Sequence, residues 1–490
     1  MAEFDLLTRP WLPVLTAEGP TRVSLREALE RSHEVQLAAR GSEHAPLLRL
    51  LLAAYSAAAQ PADHEDWDAA WHAHTLDTHR ISSYLDAHTD RFDLLSEHRP
   101  FWQSAHVTEA TQDVRGLDVA AWSSGAPQFA PHAMRTSGPV KPADAAVGLV
   151  MLQAWHPGGI RTGHPADPAT RGGKVYGSKP GPLSTMTHVR ITGTCLKNEL
   201  LLNCPPGPRA PGDRPVWERD SPAAPMRKRE PTGPLDWWTW PTRRVRLFAD
   251  NTGRVSGFAL HDGDRPDSPD QCAARFDPGA ALTARETRLA VADSAGHLLP
   301  WIPATLLAAS AASGSCAVLD HITGAAERGT LPPHTRMRAD VLRAEHTTGH
   351  RAALSGIIHL SAPLGPAGVL ADPDRRARLA EAAELPWRVQ REITHAAADT
   401  QRLLTKSVQS RADLSLAPHL TAGWEEFTSD PEAGTDRWRE CLTLAARQVT
   451  GAMTSGNRVL AAARIYTAAL DPLQSTDPAP ATTTAEDLPA

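Results

Sequence analysis

The run Gly172-Gly-Lys-Val-Tyr-Gly-Ser-Lys179 holds the residue types that cradle phosphate, because glycine admits close backbone approach and lysine supplies charge. Its spacing is not that of a P-loop, and no Ser or Thr follows the lysine as that motif requires. The chain has no G-x-S-x-G, no kinase or dinucleotide-binding fingerprint and no H-E-x-x-H helix. Paired carboxylates such as Glu425 with Glu426, or Asp372 with Asp374, stand in helix-start or loop contexts and read as solvated charge rather than an acid-base pair. Cys195, Cys204, Cys272, Cys316 and Cys441 form no C-x-x-C pair, so neither a disulfide framework nor a zinc ribbon is indicated. The close histidine pair, His72 and His74, would point apart on a helix predicted over 66–87. No metal and no cofactor is expected.

Charge narrows the partners. A formal net charge of −6 argues against a freestanding, unspecific nucleic-acid binder. Yet Arg161 to Arg254 carries 16 Lys and Arg against 8 Asp and Glu, leaving 34 against 48 elsewhere, so any phosphate contact is expected to be local. The basic triplet Arg227-Lys-Arg229 reads as a solvated loop or a flexible basic patch, and alternation puts Arg244 and Arg246 on one strand face as surface charges.

The elements that must position these residues follow from pattern. The start, Phe4 to Val14, is cut by Pro10 and Pro13 and fits an edge strand or a docked arm. A capping-box spacing from Ser24 to Glu27 and apolar repeats over Pro46–Ala59 predict helices. Ala143–Trp155 is an apolar helix ending at His156-Pro-Gly-Gly159, between a Gly/Pro-rich loop at 123–142 and a Gly/Lys/Arg loop at 161–181. Leu183–Cys204 reads as strand, turn at Gly193 and helix, while 237–248 and 255–260 read as strands joined by a turn at 251–254. Helical pattern returns over 302–311 and dominates 375–465, enough for about four helices with short connections. The tail from Asp471 to Ala490 is Pro/Thr/Ala-rich and reads as disordered. Met1–Leu12 is not patterned as a signal peptide, and no run reaches the roughly 20 apolar residues of a spanning helix, so a soluble, cytoplasmic protein with no membrane partner is expected.

The order of short motifs is more specific than any one of them. Phe4-Asp-Leu-Leu-Thr-Arg-Pro-Trp-Leu-Pro-Val14, Val23-Ser-Leu-Arg-Glu-Ala-Leu29, Arg99-Pro-Phe-Trp-Gln103, Gln128-Phe-Ala-Pro-His132, Gly181-Pro-Leu183 with Leu200-Leu-Leu-Asn203, Val216-Trp-Glu-Arg-Asp220, Pro231-Thr-Gly-Pro-Leu-Asp236 and Thr239-Trp-Pro-Thr-Arg-Arg-Val-Arg-Leu247 stand in sequence. In that order the chain resembles the CasA family, the large subunit of the type I-E CRISPR surveillance complex Cascade; the likeness is much weaker beyond these segments.

The resemblance implies an α+β fold, with a large mixed α/β domain with long loops over 1–365 and a C-terminal four-helix bundle over 366–470, ahead of the disordered tail that composition assigns to 471–490. It implies a non-catalytic subunit that reads the protospacer-adjacent motif in double-stranded DNA, promotes duplex opening and R-loop formation, and helps recruit a helicase-nuclease, while the guide RNA reads the target by pairing. Its partners would be target DNA, the crRNA-containing Cascade subunits and that nuclease. The family's glycine loop falls on Gly158 and Gly159, although a helix C-cap explains those glycines equally well. A minor-groove lysine falls near Arg285, with Arg288 as alternative, and the duplex-splitting wedge falls on His350 and Arg351, where relatives carry Asn and Gln. The loop contacting the complex near the crRNA 5′ end corresponds to Gln128, Phe129 and His132, and Phe129 folding onto its own core remains open. Arg161, Lys174 and Lys179 of the basic loop complete the expected DNA-facing set. Two other readings remain: a metal-independent cytoplasmic enzyme acting on a small molecule, and a purely structural scaffold.

Overall fold

The computed structural model describes residues 3–39, 41–117, 138–220, 222–223, 225–282, 289–291, 297–307, 315–346, 354–403, 415–451 and 458–474. They form a mixed α+β fold that divides into two compact units, residues 1–280 with 342–359 and residues 281–341 with 360–490.

In the first unit the N-terminal segment supplies the strand Leu12–Thr16, which lies between Gly19–Val23 and Gln36–Leu37. It is therefore a central strand and not the edge strand that its prolines suggested. The chain tolerates Pro13 because the second neighbour pairs only with Val14 and Leu15, while the Pro13 carbonyl still accepts from the Ala38 amide at 3.0 Å. Ser24 caps the following helix, Leu25–Glu30, its hydroxyl accepting from the Glu27 amide as the capping spacing predicts. The buried helices Gly41–Ala59 and Pro142–Trp155 pack against each other, and both are apolar around nearly their whole circumference, which a surface helix is not.

The single helix expected over 66–87 is two, His64–His72 and Thr78–Asp86, because Asp77 caps the second through the Arg80 amide. His74 thus lies in the break, with its ring 4.6 Å from that of His33. Strand Thr187–Ile191 and helix Leu196–Leu202 match the strand-turn-helix reading, and Gly193 is needed where a Cβ would lie 2.3 Å from the Glu199 amide nitrogen.

Arg243–Ala249 and Val255–Asp262 form the expected antiparallel hairpin, preceded by a short helix, Pro234–Trp238, in place of the outer part of the predicted strand. The surface-charge reading of this hairpin fails. Arg244 is 1% exposed and reaches Asp264 at 2.5 Å, and Arg246 is half-buried. Of the Arg227–Arg229 triplet only Arg229 is taken up by carboxylates; the Arg227 and Lys228 side chains are exposed. Arg227 and Lys228 pair in parallel with Asp264 and Arg265, while Arg229 bridges Asp264 and Asp236 and lies 4.0 Å over the Trp240 ring. Much of the local positive surplus therefore neutralises buried carboxylates.

The second unit contains four long helices, Pro373–Leu403, Ala417–Ser429, Thr435–Gly451 and Arg458–Gln474. The first packs on the third and fourth, and the second on the third. The rings of Trp424, Phe427 and Trp438 pack with centroids 5.5–5.9 Å apart, and the Trp438 indole donates to the Ala382 carbonyl at 3.0 Å. Residues 471–474 complete the last helix, where a disordered tail was expected to begin; 475–490 lie outside the described residues. No helix among the described residues is long and apolar enough to cross a membrane.

Candidate nucleic-acid interface

The segment expected to be an irregular basic loop contains an antiparallel pair, Gly159–Thr162 with Lys174–Ser178. Its inner turn is Arg171-Gly-Gly-Lys174, closed by reciprocal amide-carbonyl bonds of 2.8 and 3.1 Å between Arg171 and Lys174. Gly172 and Gly173 have φ of +56° and +74°, the backbone of a two-residue hairpin turn, and a Cβ at either would meet open space. Glycine is required there by conformation rather than packing. The run that resembled a phosphate cradle is thus a hairpin tip.

Gly158 is glycine for the opposite reason. It is buried, and a Cβ would lie 2.7 Å from the Ser178 carbonyl oxygen. Its neighbour Gly159 has φ +99°, which L side chains rarely adopt. Gly158→Ala is expected to destabilise the hairpin by about 1–3 kcal/mol, read as faster amide exchange over 159–178, since neither backbone can yield cheaply. Unchanged exchange would show that the packing is looser than described.

A set of buried cations fixes the loop. The Pro157 carbonyl accepts from Arg161 Nε and Nη2 at 3.0 and 2.7 Å and from Arg243 Nη2 at 2.8 Å. Arg243 Nε also donates to His156 Nδ1 at 3.0 Å, and its Nη1 donates to the Lys179 carbonyl. Asp262 anchors the second strand, accepting from Ser178 Oγ at 2.5 Å and pairing with Arg265, which in turn donates to the Tyr176 carbonyl. Burial lowers Arg243 to about 9 against the opposing pull of Asp262, and lowers Arg161 likewise. Burial, then Arg243 and Arg161, holds His156 well below its ordinary value.

This geometry sorts the expected residues. Arg161 is turned onto its own loop and Lys179 donates to the Asp267 carbonyl at 2.9 Å, so both position the hairpin. Lys174 is exposed, as is Arg171, which sequence reading left out of the site; neither side chain makes a hydrogen bond or ion pair among the described residues. Tyr176, 56% exposed, lies on the same strand and was also missed. The Arg-Gly-Gly-Lys turn was the signal that would have placed Arg171 at a tip. Arg285, Arg288, Gln128, Phe129 and His132 lie outside the described residues. So do His350 and Arg351, in the segment joining two hydrogen-bonded strands, Arg336–His346 and Leu354–Pro366.

The family model for the CRISPR-associated protein Cse1 matches residues 5–286. The chain belongs to the Cse1 family. The CRISPR-associated protein CasA/Cse1 of Thermus thermophilus is 31% identical over 283 residues, which is 53% of this chain; the match spans about half, 52%, of that relative. The crystal structure of Thermobifida fusca Cse1 superposes with a TM-score of 0.78 at 22% identity, over 96% of this chain and 98% of that one. A chain of a CRISPR RNA-guided surveillance complex superposes with a TM-score of 0.72 at 17% identity, over 96% and 100%. The Cse1 fold therefore extends past the family-model match into the helices of the second unit.

Proposed function

We propose that this Cse1-family chain is a non-catalytic subunit of a cytoplasmic RNA-guided surveillance complex. It recognises the protospacer-adjacent motif in double-stranded DNA, promotes duplex opening and R-loop formation, and helps recruit a helicase-nuclease. The observation that carries this reading is the hairpin at 159–178, where a glycine turn is flanked by two exposed cations, Arg171 and Lys174, unpaired among the described residues, on an anchored base. Glycine at the tip leaves its backbone N–H groups open to a groove, and the cations answer flanking phosphates. A minor groove suits such a reader because its code is sparse and its width admits backbone.

The likeness to a chain of a surveillance complex supports assembly with crRNA-bearing sister subunits. A docked subunit needs only a local basic contact, which fits a net charge of −6. In this reading Gly158 and Gly159 shape the loop and Arg161 and Lys179 hold it. Arg285 or Arg288 would enter the groove, His350 and Arg351 would wedge the duplex, and Gln128, Phe129 and His132 would contact the guide-bearing body.

In the assembled complex, Arg171→Ala with Lys174→Ala is expected to weaken target-duplex binding roughly tenfold and to reduce the salt slope by about one to two, with assembly intact. Target affinity and salt slope equal to wild type would remove the hairpin from the interface.

A further inference from the structure

A second cationic site lies in the first unit, away from the hairpin residues. Arg91, Arg99, Trp102, Trp217, Arg219 and Asp220 are among the residues lining a cleft of about 280 Å³, part of it open solvent. Trp102 is the only described non-glycine residue with φ in the left-handed region, at 54°, a strained backbone for so bulky a side chain. It is 5% exposed, and its indole nitrogen is buried without a hydrogen-bond partner. A buried, unsatisfied donor is costly unless something fills its site.

The three arginines are held in place by shared carboxylates. Asp90 pairs with both Arg99, at 2.6 Å, and Arg91, at 3.4 Å; Asp236 pairs with both Arg219, at 3.1 Å, and Arg229, at 2.6 Å. Each carboxylate thus serves two guanidiniums, and Asp220 is the one acidic side chain that lines the cleft itself. Arg91 Nη1 donates to the Arg219 carbonyl at 3.0 Å, which ties the Arg91 side chain to the Arg219 backbone. The cleft thus brings three guanidiniums, each with a carboxylate neighbour, together with the rings of Trp102 and Trp217.

We propose that this cleft binds a phosphate group, with Arg91, Arg99 and Arg219 as its cationic ligands and the Trp102 indole N–H as a further donor. The group is either free inorganic phosphate or a phosphodiester of a single-stranded nucleic acid, whose flanking base would meet the neighbouring rings. The residues lining it are not those of the hairpin.

Inorganic phosphate is titrated into the full chain and followed by phosphorus NMR line broadening. Arg99→Ala, whose side chain is 52% exposed, is expected to weaken binding about tenfold with an unchanged melting temperature. Trp102→Phe keeps a ring and removes the N–H, and is expected to weaken it several-fold. Wild-type affinity in both variants, or no phosphate-dependent broadening in the native chain, overturns the proposal. Competition separates the sources: phosphate that displaces a labelled oligoribonucleotide marks a phosphodiester site, and phosphate that binds without displacing it marks a site for the free anion.

Discussion

Asp264→Asn is expected to destabilise the protein by about 3–5 kcal/mol, because it leaves buried guanidinium charge without its counterion. Asp264 is 4% exposed and accepts from Arg244 Nη2 at 2.5 Å and from Arg229 Nε. Burial alone would raise its carboxyl, but Arg244 and Arg229 together hold it below the ordinary carboxylate value. Arg229 keeps Asp236 after the substitution, at 2.6 and 2.9 Å. Among the described residues Arg244 keeps only the carbonyls of Ala223 and Pro225, at 2.7 and 3.4 Å, and a guanidinium does not escape by losing its proton.

The loss should appear as a lower urea midpoint at constant slope. Adding Arg244→Met should restore part of it, since the stranded cation is then gone as well. A shift below about 1 kcal/mol in the single variant would mean that water reaches the pair and screens it.

Acidification from neutral pH to about 4 is expected to remove about 3 kcal/mol of stability through His188 alone, whose folded value lies at about 4 against an ordinary 6.5. Burial is the main cause. Asp277 opposes it, and Arg49 and Arg190 reinforce it. The sign follows from proton binding: between the two values the unfolded chain holds a proton that the folded chain excludes. Stability is therefore complete above the unfolded value and falls as pH drops toward the folded one.

His156 moves the same way and ties the effect to the hairpin. Its Nδ1 accepts from Arg243 Nε, so protonation there breaks the bond that helps hold the glycine loop. Unfolding free energies of wild type and His188→Gln, measured from pH 7 to pH 4, should converge toward the acid end of that range. Parallel curves would show that His188 titrates alike in the folded and unfolded chain.

Local pattern was sufficient for much of the fold. The helix at Pro142–Trp155, the capped helix at Leu25–Glu30, the hairpin at 243–262 and four C-terminal helices all follow from apolar period, cap residues and turn residues within a few positions of one another. The family, too, was legible, because several short motifs in fixed order carry more information than composition. The site was legible only in part. The sequence marked the segment 157–179 as glycine-rich and basic but not which cations face outward.

Sequence by itself determined residue order, helix and turn propensity, the absence of catalytic signatures and a local excess of positive charge, all of which depend on near neighbours along the chain. Tertiary structure decided where that charge went. Arg243 and Arg244 sit on adjacent positions of a strand yet bond to Pro157 and Asp264 respectively, while Arg171 and Lys174 stay exposed at a turn. An arginine's role depends on which carboxylate folding brings to it, and Asp264, Asp236 and Asp262 arrive from elsewhere along the chain. Burial then makes each of those pairings costly to break, a physical consequence that no window of neighbouring residues contains.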